Sequence, residues 1–362
     1  MPDKAAVRRQ LEAAIAYVRS RIYTLEDYSA RDILRQYQKA YEAMEAKLDA
    51  AFQATTSGGT WNSTDAAFIK RTQVLTEQMA GEMERLNAQV HDTIVRDQIN
   101  AYRASFFGNA WIVDKFSPKD YTAQMPVLPT EAIRAQMLMP YENGTSFFRL
   151  EANRHDFIGK IKQAMVQSQI NGDSIYDAQK RLADLLGVDI GRRTKNERLA
   201  NQGAFYRTEM IARTELLRGS NLGALAVYDA NKDVVKEWEY LATLDGRTCP
   251  TCGPLDGKKY PIEDTSDLPP KHPNCRCTSA PVTVSFAEMG LGGLPEMGHS
   301  KRASLFGPVA GSLSYSQWAA REGIMQSDDG GLRDLPPSKP ARSPGAAPVR
   351  AQALKGKGLA VR

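Results

Sequence analysis

The chain has little cysteine and little histidine, four of each in 362 residues. It has no run of about 18 uncharged apolar residues, so no segment reads as a membrane-spanning helix. Its first residues, MPDKAAVRRQLEAA, carry charges where a secretory signal would carry an apolar core. A soluble chain that stays in the cell that makes it is therefore expected. Several catalytic signatures are missing too: there is no P-loop, no Rossmann glycine fingerprint, no G-x-S-x-G elbow and no H-E-x-x-H. Those absences argue against nucleotide-cradling, serine-hydrolase and common metalloprotease chemistry. A hydrophobic content of 42% is ordinary for globular proteins and supports two or three domains of about 150 residues each.

Scarce cysteine makes its placement informative. All four cysteines fall between Asp245 and Cys277, in DGRTCPTCGPLDGKKYPIEDTSDLPPKHPNCRC, together with one of the histidines. Cys249 and Cys252 form a C-x2-C knuckle, and His272, Cys275 and Cys277 supply three more donors. Thiolates and an imidazole in two clusters across a short loop suit tetrahedral Zn2+. Five donors compete for four places, and the C-x-C pair is tighter than in common zinc ribbons. Two structural disulfides are the second reading, but they need an oxidising compartment. Reduced, unliganded thiols are the third, although inert buried cysteines would not ordinarily crowd into 29 residues. Metal is favoured.

Residues 6 to about 107 read as helical, broken by the Thr55–Thr60 cluster. Thr24-Leu25-Glu26-Asp27 resembles a capping box. Leu34, Tyr37, Tyr41, Met44 and Leu48 then recur at helical spacing, and Phe68, Leu75, Met79, Leu86 and Val90 form a heptad-like seam in a second helix capped by Asn62 or Ser63. The pattern predicts an antiparallel helical hairpin, either a packing scaffold or an arm that docks on a partner. Residues 108–152, punctuated by four prolines, read as an irregular connection. A helix over about Arg154–Ile170 follows, then one capped by Asp173 or Ser174 and closed by Gly187.

A long helix is predicted over about Glu197–Ala230, with Arg213, Leu217, Asn221, Ala224 and Tyr228 in one stripe. Arg, Asn and Tyr among apolar residues predict a polar network facing protein, with Glu209 or Glu215 serving Arg213. Val234–Thr243 and Arg276–Ser285 read as paired strands, so a metal would tie the ends of a small sheet to the loop between them. Beyond about Gly290 the composition turns to Gly, Pro, Ser and Ala. From Gly331, Arg333, Lys339, Arg342, Arg350, Lys355, Lys357 and Arg362 stand against Asp334 alone, a net 7 − 1 = +6. The whole chain is +5, which leaves the body at 5 − 6 = −1. Such a tail is expected to be disordered, either a solvated end or an arm for an anionic partner such as nucleic acid.

The order of these residues resembles the phage Mu protein F-like family, the phage head morphogenesis or minor head proteins. The motifs are Ala212-Arg213-Thr214-Glu215, Asn221, Tyr228, Glu237-Trp238, Asp245, Arg247, Cys249, Cys252, Leu255-Asp256-Gly257 and His272 to Cys277. The resemblance covers roughly residues 155–285. It implies a low-copy virion component assembled with portal and major capsid protein, in the virion head after assembly in the host cytoplasm. Roles in head morphogenesis and in genome packaging or delivery go with it.

The expected architecture is mainly α with a small α+β C-terminal domain: a hairpin over 1–110, a connection over 111–152, a Cys/His-stapled head domain over 153–288 and a basic tail over 289–362. A structural protein is the leading class. A zinc-dependent hydrolase or nuclease using Asp245, Arg247, Asp256 and His272 is the alternative, although a shell filled by cysteine and histidine leaves no open catalytic position. A DNA-binding zinc module is the third class, drawing on the tail with genomic DNA as its partner.

Overall fold

A computed structural model describes residues 4–53, 66–116, 121–139, 146–171, 173–188, 203–246, 248–284, 301–302, 309–310 and 313–321. Helices α1 (Lys4–Gln53) and α2 (Ala66–Phe116) dominate it. Lys47 pairs with Glu82 at 2.8 Å, Gln36 donates to Thr93 at 2.8 Å and Arg96 meets Asp32 at 3.0 Å, so one helix counts down as the other counts up. That register is an antiparallel hairpin. Tyr37, Tyr41, Met44 and Leu48 of α1 face Leu75, Met79, Leu86 and Val90 of α2 in one buried cluster, while Ile33 takes the core place expected of Leu34.

Two boundaries differ from expectation. Thr24 lies inside α1, its hydroxyl donating to the Ser20 carbonyl at 2.9 Å. The apolar face continues through it from Val18 and Ile22 to Ile33, so the hydroxyl bonds back to its own helix rather than starting a new one. At the far end, α2 continues past 107 to Phe116 because Ala110, Ile112 and Val113 still have a core to face. The second helix's proposed caps, Asn62 and Ser63, lie outside the described residues.

The stretch 108–152 is more regular than its prolines suggest. Helix α3 (Thr130–Met137) buries Ile133 and Met137, and α4 (Ser146–Asn171) starts eight residues before Arg154. Residues 121–124 are pinned by the fully buried Asn231. Its Oδ1 accepts from Tyr121 Oη at 2.6 Å and Gln124 N at 2.8 Å, and its Nδ2 donates to Gln124 O at 3.0 Å. Helix α5 (Ile175–Leu186) has the expected ends: Ser174 Oγ accepts from Asp177 N, and Gly187 closes it at φ 75°.

Helix α6 (Ala204–Ala230) runs through both main cores. Its first turns join α1, α2, α4 and α5, and its last turns join α2, α3 and the sheet. The proposed start at Glu197 lies outside the described residues. The crossing on α2 is close: a Cβ on Gly219 would lie 2.6 Å from the Gln98 carbonyl oxygen, and one on Gly223 2.3 Å from that of Tyr102. These two glycines, one turn apart, let the backbones touch.

The sheet has the order β2–β1–β3, all antiparallel, from β1 (Val235–Leu241), β2 (Lys259–Pro261) and β3 (Thr278–Thr283). A bulge between Val235 and Glu237 shifts the parity, so that Val235, Trp238 and Tyr240 all point into the core. Ordered structure also extends past 288. Short strands β4 (Lys301–Arg302) and β5 (Val309–Ala310) pair, and α7 (Tyr315–Arg321) buries Tyr315 and Trp318 against Leu244. The tail boundary at 289 is thus too early; two aromatics in a Gly- and Ser-rich stretch had a core to join. The basic residues from Arg333 to Arg362 lie outside the described residues. No helix among the described residues is long and apolar enough to cross a membrane.

Candidate metal centre

The cluster sits at one end of the sheet and is framed by carboxylates. As β1 ends, Asp256 Oδ1 accepts from Ala242 N at 2.8 Å and its Oδ2 from Tyr315 N at 2.7 Å, so one side chain fastens both β1 and α7. Asp245, in the turn that follows, takes the Arg276 guanidinium in a fork, with Nη2 to Oδ1 at 2.7 Å and Nη1 on Oδ2. Since Arg276 stands between Cys275 and Cys277, the fork fixes the second knuckle against the first. Thr243 Oγ1 adds a bond to the Arg276 carbonyl at 3.1 Å.

Within this frame the five donors converge. His272 Nε2 lies 3.2 Å from both Cys249 Sγ and Cys252 Sγ, and Cys252 Sγ lies 3.9 Å from Cys275 Sγ. Two overlapping groups could hold a metal: Cys249, Cys252 and His272, and Cys252, Cys275 and Cys277. One tetrahedral zinc, at roughly 2.3 Å from sulfur and 2.0–2.1 Å from nitrogen, places its ligands about 3.6 to 3.8 Å apart. The spacings fall within a few tenths of an ångström of that, and the donor set fits. All four cysteines are free thiols, so the disulfide reading is not the arrangement found.

The thiols and the imidazole of the centre are strongly coupled through their mutual hydrogen bonds. Hydrogen bonds from Cys252 and Cys277 hold the Cys275 thiol far below its ordinary range, against its burial. Hydrogen bonds with its sulfur neighbours, then burial, push Cys277 up. Cys252 is pushed up to about 12, first by its hydrogen bond with Cys275. His272 rises to about 9, chiefly through Cys275 and against its own burial. Crowded thiols cannot all ionise unless a positive charge is placed among them. The buried Tyr240 hydroxyl faces Cys252 and Cys277, and burial foremost drives its pKa upward.

Helix α6 holds the second knuckle from below. Asn274 N donates to Thr214 Oγ1 at 3.0 Å, and Arg213 Nη1 reaches Asn274 Oδ1 at 3.4 Å. Asn274 is left-handed at φ 64°, a conformation asparagine adopts more readily than most residues. Arg213 also pairs with Glu209 at 3.1 Å and approaches Glu26 of α1 at 3.8 Å. Burial pushes Glu26 up to about 7, against the pull of Arg213. Two turns further on, Asn221 Oδ1 accepts from Ser279 N at 3.0 Å and from the hydroxyls of Thr278 and Ser279, tying α6 to β3.

The other motif residues act elsewhere. Glu215, fully buried, is met by Arg149, by Arg218 at 3.5 Å and by Gln98 at 2.8 Å. The expected service of Arg213 thus goes to Glu209 and not Glu215, which points to the opposite side of the helix. Tyr228 Oη donates to Asn109 at 3.2 Å; Trp238 Nε1 donates to Asp264 O at 2.9 Å and its ring stacks on Tyr260 at 4.5 Å. Asp245 and Asp256 of the hydrolase alternative are both engaged as described, His272 turns to sulfur, and Arg247 lies outside the described residues. Gly219, Gly223, Asn231 and Arg149 were not foreseen. The two glycines had a signal in their four-residue spacing on a helix; Asn231 and Arg149 had none.

Residues 159–280 match the family model described as Phage Mu protein F like protein, about a third of the chain. That stretch runs from α4 to β3 and holds the Ala212–Glu215 motif, both knuckles and the carboxylate frame. The resemblance read from motif order is borne out over these residues. No curated protein and no solved structure matches the chain.

Proposed function

We propose that the chain is a structural minor head protein of a tailed bacteriophage. It joins portal and major capsid protein during head morphogenesis in the host cytoplasm and remains in the virion head. The match of residues 159–280 to the Phage Mu protein F like model carries this reading. Zn2+ in the Cys/His cluster holds the domain together, and the metal is structural: a shell of thiolates and imidazole leaves no open position for substrate. The use of Asp245 and Asp256 as internal fasteners supports a scaffold over a hydrolase. The α1–α2 hairpin is the docking arm, and residues 331–362, net +6, contact genomic DNA during packaging or delivery.

Co-expression with the portal and major capsid proteins of the same phage tests the reading. The chain should co-purify with one of them and be present in purified heads. A chain that is never found in heads, or one whose zinc form hydrolyses nucleic acid, would overturn it. For the tail, removal of 331–362 should weaken duplex binding and flatten its dependence on salt, whose log–log slope is about −0.9 per phosphate neutralised. Coincident binding curves for the full and truncated chains at low salt would leave the tail without that role.

A further inference from the structure

Five donors crowd a centre that can use four, and the geometry singles out the one left over. The two knuckles repeat each other: Cys249-Pro250-Thr251-Cys252 and His272-Pro273-Asn274-Cys275 share two intervening residues and a proline after the first donor. Each is a tight turn, closed by Gly253 N to Cys249 O at 3.0 Å in the first and by Cys275 N to His272 O at 3.1 Å in the second. In the first, Cys252 N also points at Cys249 Sγ at 3.3 Å, the amide-to-sulfur contact that supports a thiolate ligand.

His272 is oriented for coordination. Its Nδ1 lies 2.8 Å from the Pro273 carbonyl, which can only accept, so Nδ1 carries a hydrogen and Nε2 is the nitrogen that a metal would take in place of a proton. Nε2 faces Cys249 and Cys252 at 3.2 Å each. A carbonyl holding the far ring nitrogen is the usual companion of a metal-bound histidine. Cys275 closes the set from the same turn, 3.9 Å from Cys252.

Cys277 belongs to neither knuckle: it follows the second by two residues and groups with Cys252 and Cys275. It is next to Thr278, where β3 begins, and the pairing of Thr278 with Leu241 and Ser279 with Tyr240 fixes its place against the sheet.

We propose that Zn2+ is held by Cys249, Cys252, His272 and Cys275, and that Cys277 is a buried packing thiol between the centre and Tyr240. The proposal rests on the zinc reading above. Co2+ substituted into the full-length protein reports the ligand set, because three thiolates with one imidazole give a visible spectrum distinct from that of four thiolates. The expected result is the three-thiolate spectrum in the native sequence, unchanged in Cys277→Ala and converted to the four-thiolate form in His272→Cys. A four-thiolate spectrum in the native sequence, or one that Cys277→Ala alters, overturns the assignment while leaving zinc in place. Protein that binds neither zinc nor Co2+ overturns the zinc reading itself. The native spectrum decides even if a variant fails to fold.

Discussion

The amide of Asn274 donates to the hydroxyl of Thr214 at 3.0 Å, joining a helix to a knuckle 60 residues later in the chain. The two ends of the family motif, Ala212–Glu215 and His272–Cys277, are thereby one structural unit. Arg213 reinforces it from the adjacent position. The helix motif thus supports the shape of the turn that presents His272 and Cys275.

Thr214→Val keeps the shape of the side chain and removes the acceptor. It should cost about 1–3 kcal/mol, the penalty of an unmade buried hydrogen bond. Zinc affinity should fall with it. Denaturant titration and competition with a chelator measure the two effects, and loss of stability without loss of affinity would confine Thr214 to the helix.

Chelation of the metal, or Cys249→Ser, should unfold the segment around 240–285 and leave the hairpin folded. Structural zinc contributes on the order of 10 kcal/mol to small modules, whereas α1 and α2 have their own apolar cluster. Limited proteolysis should cut between β1 and β3 first, while far-ultraviolet circular dichroism retains most of its helical signal. Global unfolding on chelation would show that the two cores are not separable.

Glu26, which Arg213 links to the second knuckle, predicts a pH dependence of stability. Its folded pKa is about 7 against an ordinary 4.5, with burial the leading cause. Below about 4.5 the group is protonated in both states. Between there and 7 the folded chain holds a proton that the unfolded chain has lost, so stability falls as pH rises across that window. The loss is at most about 3 kcal/mol at 1.36 kcal/mol per unit. Glu26→Gln should therefore raise the melting temperature at pH 8 and change it little at pH 4. A variant less stable at pH 8 would mean that the pairing with Arg213 outweighs burial.

Gly223→Ala tests the helix crossing. The added Cβ would lie 2.3 Å from the Tyr102 carbonyl oxygen and 3.0 Å from its carbon, both backbone atoms that cannot swing away. Separation of α2 and α6 should cost about 1–3 kcal/mol, read as a lower denaturation midpoint. An unchanged midpoint would show that the two helices part without loss.

The sequence by itself determined the elements whose causes are local. Helical spacing marked both arms of the hairpin, a side-chain cap and a left-handed glycine marked the ends of α5, and β-branched and aromatic residues marked β1 and β3. The crowding of four cysteines and His272 marked the Cys/His cluster. Only the tertiary structure decided what depends on distant partners. Thr24 resembles a cap, yet it lies within α1 because the packing face on either side of it is continuous. Arg213 had two candidate carboxylates on its own helix, and the packing of α4 gave Glu215 to Arg149 instead. Trp318 and Tyr315 lie in a stretch composed like a loop, and they are ordered because Leu244 and Asp256 provide a place to dock. The roles of Thr214 and Asn274 depend on where α6 crosses α2. That is set by two glycines whose effect exists only when a second backbone comes within contact distance.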